Sequence, residues 1–342
     1  MEEGAGGDLT CRRLHPRMLI SLIIPFLNES ENLPLCWERI TQLVAKLPDY
    51  EFETIFVDDG STDSSVAIVK ALTAGPRMSI RLVMLSRNFG HQSAISAGMV
   101  YAHGDAQIFL DADLQDPPEL IASFLEKFRE GYEVVYAVRQ NRQETWHRKI
   151  CFDLFYKLFN SLAEQPIPLD SGDFGLMSRR VAKLVQAMPE QDRFVRGLRG
   201  WVGFKQIGIP YDRPERFRGE SQYNFRKHTQ LALDGIFSFS RVPVRVAFWV
   251  GMSTVFISFT YIVISYILLF FFHIGEIKGW TSVVTLIFLA AGSNLVATSI
   301  VGEYVVRIYF QTKARPLFIV ANVEERLGEG NAAVPKVIEV KP

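Results

Sequence analysis

Two uncharged apolar runs near the carboxyl end constrain this chain most. Val246 to Phe272 spans 27 residues without a charge, and Trp280 to Val301 spans 22. About 20 such residues let a helix cross the hydrocarbon core of a bilayer. Buried helices of a soluble protein can also be long and apolar. Two such runs joined by the short turn His273 to Gly279 read better as a transmembrane hairpin over residues 246–302. Arg241 and Arg245 precede it, Arg307, Lys313 and Arg315 follow it, and the turn holds only Lys278 beside Glu276. That asymmetry of basic residues puts both long flanks in the cytoplasm. The expected location is the plasma (inner) membrane, multi-pass, with the preceding domain in the cytoplasm and a cytoplasmic tail over 303–342. Met18 to Pro25 is too short for a cleaved secretory leader and breaks at proline.

The rest of the 342 residues leaves room for one large domain. Lys plus Arg and Asp plus Glu both number 37, so no basic field points to nucleic acid. The three cysteines, Cys11, Cys36 and Cys151, are odd in number and scattered, which suits a reducing compartment. The six histidines form no zinc-like cluster with them.

After a Gly-rich leader (1–17), apolar strand patterns alternate with helix patterns. Strands are expected at Met18–Pro25, Phe52–Val57, Arg81–Ser86, Ala106–Leu110 and Glu133–Val138. Helices are expected at Glu31–Lys46, Ser64–Leu72, Gln92–Ala102 and Pro117–Arg129, the last opening on proline. Such alternation implies right-handed crossovers and a largely parallel sheet. Two apolar segments, Trp146–Leu162 and Thr229–Val242, fit either core packing or helices lying in the bilayer surface. The second abuts the hairpin, and residues 229–245 are assigned to an interfacial helix.

Parallel sheets bind ligands beyond the carboxyl ends of their strands. Polar clusters stand there: Asn28-Glu29, Asp58-Asp59, Arg87-Asn88 and Asp111-Ala112-Asp113. The sharpest is DADLQDPPE, residues 111–119, which follows the apolar run QIFL and opens a helix. Two carboxylates at i and i+2 with a nearby glutamine offer hard oxygen ligands to Mg²⁺ or Mn²⁺. A lone D-x-D is weak, because solvated loops supply most of them; the company of the other strand ends strengthens it.

IIPFLNESENL, VDDGSTDSS, RNFGHQSAISAGM and DADLQDPPE, in that order and followed by the hairpin, resemble the polyisoprenyl-phosphate glycosyltransferases. These are inverting family-2 enzymes of the GT-A fold, a Rossmann-like α/β domain. The likeness covers residues 18–320, and GEYVVRIYFQTKARP is similar to the bactoprenol glucosyltransferase branch. The resemblance implies a cytoplasmic GT-A domain over 18–228. It implies that Pro25, Asn28, Glu29, Asp58, Asp59 and Asp111 line a nucleotide-sugar pocket, and that Asp113 and Gln115 ligate Mg²⁺ or Mn²⁺. Asp173, in SGDFGLMSRR, becomes the acidic residue near the reacting centre, with Asp192 its rival; Arg139 and Arg216 join it as catalytic residues. Arg142, Arg196, Arg218, Ser221 and Tyr223 become candidates for the acceptor phosphate. Gln222 stands where the family often has lysine, so one positive contact is missing.

The implied reaction is inverting transfer of a hexose, with UDP-glucose the favoured donor, to a polyprenyl phosphate in the bilayer. Self-association into a homo-oligomer is left open. Two other classes remain: a processive membrane polysaccharide synthase, and a catalytically impaired membrane-anchored nucleotide-sugar-binding protein. The first normally needs more spans and a Gln-x-x-Arg-Trp element, which QDRFVRGLRGW does not fit. Gln222 favours the second, and the intact DADLQD opposes it.

Overall fold

The computed structural model describes residues 17–140, 171–191, 193–212, 242–272 and 279–327. The segment Trp146–Leu162 and residues 229–241 of the second interfacial candidate lie outside them.

Every strand and helix expected up to residue 140 is present. The apolar run Met18–Phe26 forms β1, buried on both faces from Ile20 onward. Leu33–Ala45 forms α1, whose Leu33, Cys36, Trp37, Ile40, Leu43 and Val44 recur at helical spacing and face the core. Then follow β2 (Tyr50–Asp58), α2 (Ser65–Ala71), β3 (Met78–Leu85), α3 (His91–Val100) and β4 (Ala106–Phe109). A single 3-10 turn, Pro118–Leu120, leads into α4 (Ile121–Arg129), and β5 is Val134–Gln140. Beyond it come β6 (Ser171–Ser178), α5 (Arg179–Ala187), α6 (Val195–Trp201) and β7 (Gln206–Asp212).

The strands make one eight-stranded sheet. Its order is β7-β5-β6-β4-β1-β2-β3, closed at the far edge by β8 (Val320–Leu327). β1 lies between β2 and β4, and both pairings are parallel. The chain therefore winds outward in two directions from β1, which opens a crevice at the carboxyl ends of β1 and β4. Pro25 lies in β1 without breaking the sheet. The β4 ladder ends at the pair Ile23↔Phe109, so no partner there needs its missing N–H.

The sheet is more mixed than the alternation implied. β6 runs antiparallel to both β4 and β5, and β8 antiparallel to β3. SGDFGLMS, which by resemblance is the family's acceptor-side loop, is a strand here, and one of its glycines is what permits that. A Cβ on Gly175 would stand 2.6 Å from the Val135 carbonyl, so only glycine permits this approach.

The apolar runs form two long helices, α7 (Val242–Phe272) and α8 (Gly279–Thr312), packed on each other. Large apolar side chains such as Phe256, Phe259, Phe270, Ile287, Leu295 and Val301 are exposed along them. Among the described residues, Leu289–Thr312 is long and apolar enough to cross a membrane by length and composition. α8 continues past the expected boundary at 302, and the chain then returns to the sheet as β8. Gln311 ties the end of α8 to the loop after α5: it donates to the Pro189 carbonyl (2.5 Å) and accepts from Gln191 N (3.0 Å).

β8 is also locked from inside. Buried Glu53 accepts from Ser21 Oγ (2.6 Å) and from the amides of His103 (2.5 Å) and Gly104 (2.9 Å). Arg81 spans from Glu53 (3.4 Å) to Glu325 of β8 (2.5 Å). Part of the expected tail thus belongs to the eight-stranded sheet. β8 enters beside the carboxyl end of β3, where Ser86 N donates to the Ile319 carbonyl (2.9 Å). The end of α8 therefore lies toward the same end of the strands as the crevice, the carboxyl ends of β1 to β4.

Candidate active site

The loop after β1 and the turn after β2 hold each other. Asn28, in a left-handed conformation (φ 56°), accepts from Thr62 N (2.8 Å), and its own amide donates to Ser61 Oγ (3.0 Å). Asparagine tolerates that backbone better than most residues. Glu29 N donates to Ser65 Oγ (2.9 Å), and Glu29 accepts from Asn32 Nδ2 (2.6 Å). Buried Asp58 accepts from Ser61 N (2.9 Å).

Asp59 is engaged by the loop after β3. Its two carboxylate oxygens accept from Phe89 N (2.7 Å) and Gly90 N (3.0 Å). Burial pushes its carboxyl above the usual range, and those two amides work against the rise. Asp59 fastens the loop between β3 and α3. Gly60 completes that junction: at φ 81°, a Cβ there would meet the Arg87 and Asn88 backbone at 2.8 Å.

The D-x-D segment alternates like a strand. Asp111, Asp113 and Gln115 are half-buried, whereas Ala112, Leu114 and Asp116 are buried. The three oxygen-bearing side chains are thus each partly open to solvent. Leu114 sits at φ 62°, and Gln115 N donates to Asp113 Oδ1 (3.1 Å), which curls the segment. Among the described residues no group of three His, Cys, Asp or Glu side chains forms a metal cage. A carboxylate and an amide partly open to solvent suit a hard cation that takes its remaining oxygens from a phosphorylated substrate. The donor chemistry fits Mg²⁺ or Mn²⁺.

β6 brings the second acid. Phe109 of β4 pairs with Gly175 of β6, and Asp111 and Asp173 each stand two residues beyond that last pair. Asp173 accepts from Gln92 Nε2 (3.0 Å) and lies 3.6 Å from Arg196 Nε. Burial favours its neutral form, but Arg196 and His91 outweigh burial and hold the carboxyl far below the usual range. Burial pushes Asp111 the other way, up to about 6, opposed by His91 and reinforced by Asp116 and Asp113.

Arg139, at the site end of β5, donates to Tyr211 Oη (3.3 Å) on β7, and Tyr211 donates to buried Asp116. Burial works against the Arg139 charge, but Tyr211, Asp116 and Asp111 more than offset it. Arg199 is buried and donates to the Gly172 carbonyl (3.2 Å), which makes it a support for β6. Arg142, Asp192, Arg216, Arg218, Ser221, Gln222 and Tyr223 lie outside the described residues.

Sequence reasoning missed His91. It opens α3, and its Nε2 lies 3.5 Å from Asp111 Oδ1 and 3.6 Å from Asp173 Oδ2. Burial disfavours its charge, but the two carboxylates outweigh burial and push it up to about 9. The available signal was position: it stands just past the third strand end. A histidine whose pKa is raised in the fold stabilises fully below its unfolded value, about 6.5. That contribution fades as pH rises through about 9. The thermal midpoint should therefore fall more for the parent than for His91→Gln between pH 6.5 and 9.5. Scanning fluorimetry across that range checks this, and parallel curves would contradict it.

Residues 21–185 match the family model described as Glycosyl transferase family 2. An uncharacterised glycosyltransferase of Synechocystis sp. is 40% identical over 306 residues, 89% of this chain and 95% of that protein. The bactoprenol glucosyl transferase of Shigella phage SfV is 36% identical over 310 residues, 90% of this chain and 100% of that protein. Among solved structures, the mannosyltransferase PcManGT from Pyrobaculum calidifontis, in complex with GDP-Man and Mn²⁺, is 16% identical. That likeness has a TM-score of 0.41 and covers 57% of this chain and 55% of that one.

Proposed function

Because the chain belongs to glycosyltransferase family 2, in its polyisoprenyl-phosphate branch, we propose that it transfers one hexose from a nucleotide diphosphate sugar to a polyprenyl phosphate. UDP-glucose is the favoured donor. What supports this reading is that the carboxyl ends of β1 and β4, with Asp111, Asp113 and Asp173, lie toward the same end of the strands as the end of α8. With α8 read as a membrane span, a site there would open toward a lipid-borne acceptor. α7 and α8 are read as a hairpin through the plasma membrane, with the sheet on the cytoplasmic side.

The reaction is largely an electrostatic problem. A phosphate monoester has a second pKa of ~6 and arrives mostly ionised, so no strong general base is needed. The protein must instead bring two anions together. Unit charges ~4 Å apart repel by about 4 kcal/mol at an effective dielectric of ~20. Arg139, held by Tyr211, presents a guanidinium whose fork matches phosphate oxygens. Arg196 stands beside Asp173, and in this reading it would serve the incoming phosphate. A divalent cation held by Asp113 and Gln115 would neutralise the departing diphosphate. Asn28, Glu29 and Asp58 shape the nucleotide side, with Asp58 toward the base and Asp111 toward ribose and diphosphate. Asp173, so firmly ionised, is a poor candidate for exchanging a proton and orients the sugar or acceptor. Attack opposite the nucleotide inverts the anomeric carbon, giving a β-linked product from an α-linked donor.

The test uses the purified full chain, undecaprenyl phosphate, Mn²⁺ or Mg²⁺, and a panel of labelled nucleotide sugars. Label should pass into the organic phase, best from UDP-glucose. Label in an aqueous polymer would favour a processive synthase, and no transfer from any donor would reject the reading.

A further inference from the structure

His91 has no part in the machinery so far described, yet it stands where that machinery is most strained. Asp111 follows β4, Asp173 lies in the neighbouring antiparallel β6, and the ring of His91 reaches both. Two like charges held close together in a partly buried site repel. In the proposed reaction a diphosphate and a lipid phosphate would join them, making the carboxylate pair harder still to keep ionised. The His91 ring stands within ion-pair distance of both, 3.5 Å from one and 3.6 Å from the other. At those distances neither contact is a good hydrogen bond, and Nε2 carries a single hydrogen. Its link to the pair is therefore mainly its charge.

The surrounding structure fixes the ring. Asp59 fastens Phe89 and Gly90, the two residues before His91. Gln92, the residue after it, donates to Asp173 Oδ2 (3.0 Å) and accepts from Val195 N (2.8 Å). The first turn of α3 thus clamps β6 and α6 together. The charged groups acting on the ring come from several elements. Asp111 and Asp173 favour its charge, and Arg196 on α6 opposes it. Asp59 lies behind the loop and feels the ring's charge.

We propose that His91, as an imidazolium, is a positioning residue that yokes donor-side Asp111 to acceptor-side Asp173 and holds the two carboxylates together across the reacting centre. This role rests on the glycosyl-transfer reading. His91 acts through the two acids and touches no reacting atom.

A cycle of variants in the full chain tests it, with transfer from UDP-glucose to undecaprenyl phosphate as the readout. His91→Gln keeps polar hydrogens and removes the charge. It should lower kcat ~10–100-fold while donor KM moves less than about threefold. In an Asp173→Asn background, where one carboxylate is gone, the same change should cost less than about threefold. His91→Lys restores a positive charge and should recover at least about threefold over His91→Gln. It also carries the test if the glutamine variant does not fold. A purely structural role would give additive losses and no recovery with lysine. Either result, or a kcat for His91→Gln within about twofold of the parent, overturns the proposal while transfer by the parent stands. A parent that transfers no sugar overturns both readings.

Discussion

Asp113→Ala should leave a folded, membrane-inserted protein whose transfer rate is at least ~10³-fold below the parent's. The magnitude follows from the diphosphate leaving group. Its charge must be neutralised as the sugar bond breaks, and losing such an electrostatic contact costs ~10²–10³-fold or more. Folding should hardly notice. Asp113 is half-buried, and the bond it accepts from Gln115 N is local to its own loop. One local hydrogen bond is worth about 1 kcal/mol net. Radiometric transfer at saturating substrate, beside a thermal melt, checks both halves. Turnover near the parent's would remove Asp113 from any cation site. A collapsed melting curve would make it a folding residue.

Asp173→Asn should reach nearly as far by another route. Asparagine has the same shape and can still accept from Gln92 Nε2, but it leaves Arg196, Arg199 and His91 facing a neutral group. We expect kcat to fall ~10²-fold with the donor KM within about threefold, because Asp173 sits across the crevice from the nucleotide loops. A rise in donor KM at constant kcat would move Asp173 to the nucleotide side. The thermal midpoint should fall as well, since removing one partner of a buried ion cluster leaves the others uncompensated.

The sequence readily revealed the first half of the sheet because parallel strands buried on both faces read as apolar runs. Ile20, Leu22, Ile23 and Ile24 of β1 need no long-range information to be recognised. β6 and β8 were hidden for opposite reasons. β6 is a strand because β4 and β5 flank it, and its Gly175 is a position where the neighbouring β5 backbone approaches. β8 is an edge strand rich in charge, and its charges meet partners far away in sequence: Glu325 meets Arg81 and Glu324 meets Lys70.

The site divides the same way. Asp111, Asp113 and Gln115 follow one strand end directly in sequence, so the motif alone was enough to single them out as candidates. Asp59 looked equivalent to Asp58 in sequence. Yet both its oxygens are taken by the backbone of a loop 30 residues away, which only tertiary structure discloses. His91 carried no spacing signal, because its partners come from two other strand ends.

The account's central claim is single, inverting transfer to a lipid-borne phosphate. The anomeric proton spectrum of the purified organic-phase product, with its mass, tests that claim most directly. One β-linked hexosyl phosphate per polyprenol is the predicted result. An α-linked sugar, more than one sugar per lipid, or free hexose in place of a lipid product would contradict it.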